Sequence, residues 1–313
     1  MSGWTYGVFG LEVEFPREVM TLRSAQVTPQ RPADVRIAFA AVPPQPCMET
    51  VNDDLDVAWS TEGLTISVEE VGRFRVSNGD TVIVDPWPGA TPAEIDLYLA
   101  GSVMGAVLHQ RGMLPLHCNA FACDGRAILL CGDSGAGKST LAAWFESRGY
   151  PLLTDDVCAV TFTREGRAVG HPGMPRLRLW DDARHAMGRS KAPVSSIPWA
   201  EGKFEIEMHA DRVRAELPIA AIYHLLPAEP DDHFGIAGLH GLGAVDAITA
   251  SIYRRRIADL AGGARRYLRE AVELASSTPV FRISRTWGFE QFSAQSRQIE
   301  THFKSIFNEI SSP

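Results

Sequence analysis

The chain has 313 residues, 45% hydrophobic and 22% charged, which excludes global disorder and leaves room for one large domain or two unequal ones. Its formal net charge of −8, from 30 Lys and Arg against 38 Asp and Glu, argues against non-specific nucleic-acid binding, which needs many cations against phosphates. The five cysteines (Cys47, Cys118, Cys123, Cys131 and Cys158) form no C-x-x-C pair, and four sit in apolar stretches where a reduced, buried thiol is expected.

The N-terminus shows no basic segment followed by an apolar one, and the nearly uncharged run 97–108 is shorter than the ~20 residues that cross a bilayer. The expectation is a soluble, cytoplasmic protein with no membrane partner. Residues 1–89 read as a β-rich accessory domain. Run 7–15 alternates apolar and polar positions as one half-buried strand, and 64–68 does the same. Runs 73–76 and 81–84 flank Asn78-Gly79, a strong hairpin signal because both positions tolerate positive φ. Between them, 26–49 holds five prolines and is expected to be irregular.

The soft boundary falls near Pro86-Trp87-Pro88-Gly89, with 90–313 expected to form a nucleotide-binding catalytic domain. Thr91-Pro92-Ala93-Glu94 opens a helix, with Thr91 as cap, Pro92 where its missing N–H costs nothing and Glu94 at the capping-box position. That helix should be largely buried and stop at Gly112. Two strands, 117–123 and 126–131, join through Asp124-Gly125. A helix over 138–148 ends at Gly149, and 152–162 is strand-like but interrupted by Asp155-Asp156. Further on, 242–260 and 264–276 read as helices, 280–284 as a strand and 289–307 as a closing helix.

The strongest motif is Gly132-Asp133-Ser134-Gly135-Ala136-Gly137-Lys138-Ser139, followed by Thr140, the complete G-x-x-x-x-G-K-S pattern between an apolar strand and a helix. Glycines let successive backbone N–H groups turn inward around a polyphosphate, and the helix N-terminus adds positive potential. Lys138 is expected to reach the β- and γ-phosphates, and the Ser139 hydroxyl to complete the coordination of Mg²⁺. If 152–154 is the next parallel strand, its C-terminal end returns Asp155 and Asp156 to the same side of the sheet. One carboxylate then suits Mg²⁺ or its waters and the other suits the proton of an attacking hydroxyl. His117, on the strand pair leading into the loop, can approach the same site from the side.

Taken together, Leu116-His117, the glycine loop, Arg148-Gly149-Tyr150 and Thr154-Asp155-Asp156 resemble the catalytic core of the bacterial HPr kinase/phosphorylase family, closely over 116–156 and loosely over 90–290. The resemblance implies an α/β, P-loop-containing fold shared with phosphoenolpyruvate carboxykinase, with the smaller β-rich domain ahead of it. It implies transfer of phosphate from ATP, with Mg²⁺, to a seryl hydroxyl of a peptide or small protein, by an enzyme that assembles as a homo-oligomer. By resemblance Asp155 is the general base, Asp156 supports it and joins Ser139 at the metal, and His117 is a catalytic histidine alongside Lys138. The E-I-R-G segment of members that act on HPr is absent here. Pro175-Arg176-Leu177-Arg178-Leu179-Trp180 instead resembles a divergent subgroup that includes kinases of lasso-peptide precursors.

Arg176, Arg178 and Lys203 are candidate cations to steady the transferring phosphoryl group or an acidic substrate end. The basic run Arg254-Arg255-Arg256, with Arg265, Arg266 and Arg269, is either a dock for an acidic peptide or a solvated helix face. An HPr-type kinase, a kinase of free serine, a nucleotide triphosphatase without acceptor and a non-catalytic nucleotide sensor remain open as alternatives.

Overall fold

Phe9 and Gly10 both take positive φ (56° and 75°), so the alternating run 7–15 is not one strand. It folds back as a tight hairpin, Trp4–Val8 against Leu11–Phe15, because a two-residue turn of that handedness matches the twist of its strands. The computed structural model describes residues 3–46, 48–52, 55–189, 195–196, 202–207, 213–227, 233–260, 263–286 and 288–311. Cys47 lies outside them; the other four cysteines are free and buried, as expected. Two compact units result, the first made of 1–115 and 253–267, the second of 116–252 and 268–313.

The first unit is built on an eight-stranded sheet. Its order is Trp4–Val8, Leu11–Phe15, Val35–Phe39, Thr81–Pro86, Gly72–Ser77, Gly63–Val68, Leu55–Ser60 and Glu49–Asn52. The proline-rich stretch is therefore not wholly irregular. Val35–Phe39 lies free of prolines and pairs in parallel with strands on both sides. The Asn78-Gly79 hairpin is present, with φ of 55° and 66°.

Beside the sheet residues, the first unit holds a helical run, α over Pro92–Tyr98, π over Leu99–Val103 and α over Met104–Gln110. The reciprocal Thr91–Glu94 capping box starts it, a device worth about 1 kcal/mol. Near its end His109 is buried, its Nε2 2.8 Å from the Tyr253 carbonyl and its Nδ1 2.6 Å from the Tyr267 hydroxyl, so Nε2 donates and Nδ1 accepts. Burial pulls this imidazole down from 6.5 to about 4, Arg266 adding to the effect against the Tyr253 hydrogen bond. A base depressed in the fold takes up a proton more readily once unfolded, so stability is lost as pH falls from 6.5 towards 4. The expected loss is up to about 3 kcal/mol. Thermal unfolding across that window should show it, and His109→Gln should flatten the slope; an unchanged slope assigns it to another group.

In the second unit the strand Arg126–Gly132 is hydrogen-bonded on one side to Leu114–Cys123, antiparallel, and on the other to Leu217–Leu225, parallel. Leu217–Leu225 in turn pairs in parallel with Val280–Ser284, and Gly235–Leu239 closes that edge. The remaining members, Val157–Phe162 and Ala168–His171, lie between Leu114–Cys123 and Leu217–Leu225 in the strand order. Leu152–Thr154 does not sit beside Arg126–Gly132; it pairs antiparallel with Leu114–Cys123, which places one strand between them while keeping their directions the same. A separate three-stranded sheet takes Arg176–Trp180, Lys203–Glu207 and Ser195–Ser196.

The helix Lys138–Ser147 buries Leu141, Ala142, Ala143, Trp144 and Phe145 in one core with Phe121, Leu130, Leu177 and Phe303. Phe145 stacks on Phe121 at 4.5 Å between centroids, and Phe303 of the closing helix Phe292–Ser311 stands 5.4 Å from both. The Arg148-Gly149-Tyr150 turn fastens the two helices together. Arg148 Nε and the Tyr150 hydroxyl both donate to the buried carboxylate of Glu300, at 2.9 and 2.7 Å, and Lys304 donates at 2.8 Å. The expected helix 242–260 is instead two, Leu242–Ala250 and Arg255–Leu260, broken at Arg254, whose φ is 49°. The closing helix starts at Phe292 rather than 289. Among the described residues no helix is long and apolar enough to cross a membrane.

Candidate active site

Gly132 ends its strand at φ 133°, where a Cβ would stand 2.3 Å from the Leu225 carbonyl of the neighbouring parallel strand. Only glycine lets the chain leave the sheet that closely. The loop then crosses Asp133, Ser134 and Gly135, all exposed, and enters the helix at Gly137, φ 80°. Ala136 is buried, while Ser139 and Thr140 are half-buried on the first turn. A cavity of about 830 Å³ opens at this loop, lined among others by His117, Lys138, Ser139, Asp155, Asp156 and Arg178.

Lys138 is 6% exposed, and its ammonium donates to the Gly132 carbonyl at 2.8 Å, the Asp133 carbonyl at 2.9 Å and His117 Nε2 at 3.1 Å. Burial lowers its proton affinity, offset in part by Cys131 and Asp156. An ammonium carries no lone pair, so His117 Nε2 is the acceptor and the ring hydrogen sits on Nδ1. Nδ1 donates to the Asp156 carbonyl at 3.0 Å and lies 3.3 Å from Asp156 Oδ1. His117 therefore bridges Lys138 to Asp156.

The two carboxylates face different partners. Asp155 is 3% exposed; its Oδ1 accepts from the Ser139 hydroxyl at 3.1 Å and from Asn119 Nδ2, and its Oδ2 from the Arg178 backbone N–H at 2.9 Å. Asp156, half-buried, takes φ 74° between Leu152–Thr154 and Val157–Phe162, a conformation that aspartate tolerates better than most residues. Burial, then the Asp156 charge, push Asp155 up. Burial acts upward on Asp156 too, but the His117 hydrogen bond together with Arg178 and Arg176 outweighs it and holds that carboxyl well below the usual range. The sequence reading pairs Ser139 with Asp156; here the Ser139 hydroxyl is bonded to Asp155, and Asp156 belongs to His117 and Arg178.

The three candidate cations are not equivalent. Arg178 lines the cavity, with Nη1 3.5 Å from Asp156 Oδ2 and Nε 3.1 Å from Glu205. Arg176 is buried on Glu205 at 3.4 Å and, unlike Arg178, is not in the lining. Lys203 lines the cavity, its Nζ 5.7 Å from the ring centre of Trp180. The arginines farther along form no single wet face. Arg255, Arg256, Arg265 and Arg269 are exposed, the first two beside Asp259 and Glu49, whereas Arg266 is half-buried and donates to the His109 and Met113 carbonyls.

Asn119 and Arg285 are among the lining residues that the sequence reading missed. Asn119 lies two positions after His117 on one strand, hence on the same face, and that periodicity was a usable signal. Its Oδ1 is buried without a hydrogen-bond partner. Arg285 reaches the loop from after the strand Val280–Ser284 and donates through Nη2 to the Ala136 carbonyl; no local motif marks it.

Fold and site together define a mixed α/β protein of two units, the second carrying a glycine loop beside paired carboxylates. No family model matches the chain, and no curated protein matches it. Among solved structures it is similar to the HPr(Ser) kinase/phosphatase from Coxiella burnetii, at 13% sequence identity and a TM-score of 0.32, over 61% of this chain and 97% of that one. A likeness of that depth carries over no residue's role.

Proposed function

We propose that the chain is an ATP-dependent kinase that phosphorylates a serine hydroxyl of a peptide or small protein. The observation that carries this reading is the convergence, on one cavity, of the glycine loop, Lys138, the Ser139–Asp155 pair and the His117–Asp156 pair. Backbone N–H groups of the loop and the start of helix Lys138–Ser147 hold the phosphates. Lys138 turns one of its three donors from the protein to the β- and γ-oxygens, where transition-state charge develops.

A magnesium ion fits the donors present. Ser139 Oγ and Asp155 Oδ1 are hard oxygens side by side, next to the orphaned Asn119 Oδ1. No group of three His, Cys, Asp or Glu able to hold a metal occurs among the described residues. Mg²⁺ suits such a site because it takes few protein ligands and completes its shell with water and phosphate oxygens. When bound, it neutralises charge between the β- and γ-phosphates. The contacts therefore favour exchanging the carboxylate roles: Asp155 with Ser139 for the cation, Asp156 for the acceptor. As the seryl oxygen bonds to the γ-phosphorus, the bond to the leaving nucleoside diphosphate breaks and the hydroxyl proton passes to Asp156. His117, held by Lys138, fixes Asp156 in place.

Incubation with γ-labelled ATP, Mg²⁺ and a panel of serine peptides tests the reading, with lasso-type precursors, HPr and free serine as separate arms. A serine phosphopeptide identified by mass spectrometry is the expected product. Rapid ATP hydrolysis indifferent to every acceptor would replace the kinase with a triphosphatase, and nucleotide binding without turnover would leave a sensor.

A further inference from the structure

Arg285 is 7% exposed and lies against the last turn of the glycine loop. A Cβ on Gly137 would stand 2.7 Å from its Nη2, so the glycine there admits the guanidinium as well as the positive φ. Its Nε is buried with no hydrogen-bond partner, and among the described residues no carboxylate opposes its charge. A guanidinium stays charged at any working pH, and a buried one without a counter-ion is costly unless an anion meets it. Arg285 lines the same cavity as Lys138 and Ser139.

The lining also has two kinds of wall. His117, Asp155, Asp156 and Arg178 hold one another beside Lys138 and Ser139. Arg285 instead sits on Ala136 and Gly137, and Phe289, four residues on, lines the cavity with 42% of its surface open. The Phe289 ring is backed edge-to-face by the buried Phe292, centroids 5.9 Å apart, which leaves a face for a planar group. Trp180, also open at 48%, lies near Lys203 and two residues from Arg178, on the carboxylate side.

We propose that Arg285 and Phe289 form the nucleoside end of the site, Arg285 binding a phosphate that is not transferred and Phe289 stacking on the base. This rests on the kinase reading only in placing the transferred phosphate at the carboxylates. Trp180 then belongs to the acceptor side.

Displacement of a fluorescent ATP analogue by ATP and by inorganic tripolyphosphate separates the two roles. Arg285→Gln should weaken both competitors about 10- to 100-fold, the scale of a charge-assisted hydrogen bond. Phe289→Ala should weaken ATP about 5- to 100-fold, the usual scale for losing one base stack, and leave tripolyphosphate unchanged. If Arg285→Gln does not fold, Arg285→Lys carries the test, since it keeps the charge but loses the fork; it should weaken both competitors less than Gln, with an unfolding temperature near that of the parent. Parental affinities in the Arg285 variants, equal loss of both competitors in Phe289→Ala, or a parent chain that binds neither probe would overturn the proposal. A parent chain that binds ATP and phosphorylates nothing would remove the kinase reading and leave this one standing.

Discussion

Asp156→Asn is expected to lower phosphoryl transfer about 10²- to 10⁴-fold, the range for loss of a positioned base, with nucleotide affinity close to that of the parent. Asp156 is the half-buried carboxylate of the pair, and His117 and Arg178 keep it ionised and oriented. Asp155→Asn should act differently. It removes the charge beside Ser139 Oγ and should raise the Mg²⁺ concentration for half-maximal rate at least about 10-fold, the scale on which even outer-shell substitutions act. It should also flatten the pH dependence of the metal-free chain's stability above the ordinary aspartate value. The sign follows from linkage: Asp155 is raised in the fold, so the unfolded state releases its proton first and stability falls as pH rises through the window above the ordinary aspartate value. Neutralising the side chain removes that dependence. Steady-state kinetics against Mg²⁺, with thermal unfolding of both variants, decides the assignment. A Mg²⁺ requirement shifted by Asp156→Asn and not by Asp155→Asn would restore Asp155 as the base.

Lys138→Met is the other large effect. The thioether fills much of the same space but donates nothing to the Gly132 and Asp133 carbonyls, His117 or a phosphate. Turnover should fall about 10²- to 10³-fold, as on loss of one donor aimed at developing charge, and nucleotide binding should weaken as well. Because His117 loses the partner that sets its ring hydrogen on Nδ1, its contact with Asp156 should loosen too. Combining Lys138→Met with His117→Ala should therefore cost less than the sum of the two, a coupling that a double-mutant cycle reads directly. Full additivity would mean that the lysine and histidine act apart.

The turns were open to reading from sequence wherever backbone chemistry alone dictates them. Asn78-Gly79, Asp124-Gly125 and Thr91-Pro92-Ala93-Glu94 all took their expected forms, because positive φ and capping depend on residues a few positions apart. Phe9-Gly10 misled for the opposite reason: a phenylalanine at positive φ is uncommon, and the apolar alternation runs straight through the turn. The break at Arg254 escaped for a similar reason, since nothing in its side chain signals a left-handed backbone.

Within the second unit, the order His117, glycine loop, Arg148-Gly149-Tyr150, Asp155-Asp156 was legible because every piece is local, although Arg148 and Tyr150 hold Glu300 and do not line the cavity. Which carboxylate meets Ser139 was not. Neighbouring residues in an extended chain are distinguished only by the face they turn to, and that was set by the φ of Asp156 and by the Arg178 backbone N–H reaching Asp155 from another sheet. Arg285 shows the same limit at greater range. Arg126–Gly132, Leu217–Leu225 and Val280–Ser284 are parallel neighbours, so their C-terminal ends share one edge, where ligands of such sheets bind. The order of amino acids determined a strand, a glycine turn and a helix, since those depend on torsions and near neighbours. Only the tertiary pairing of strands far apart in the chain brought Arg285 to Gly137, because burial of the sheet decides which strand ends meet.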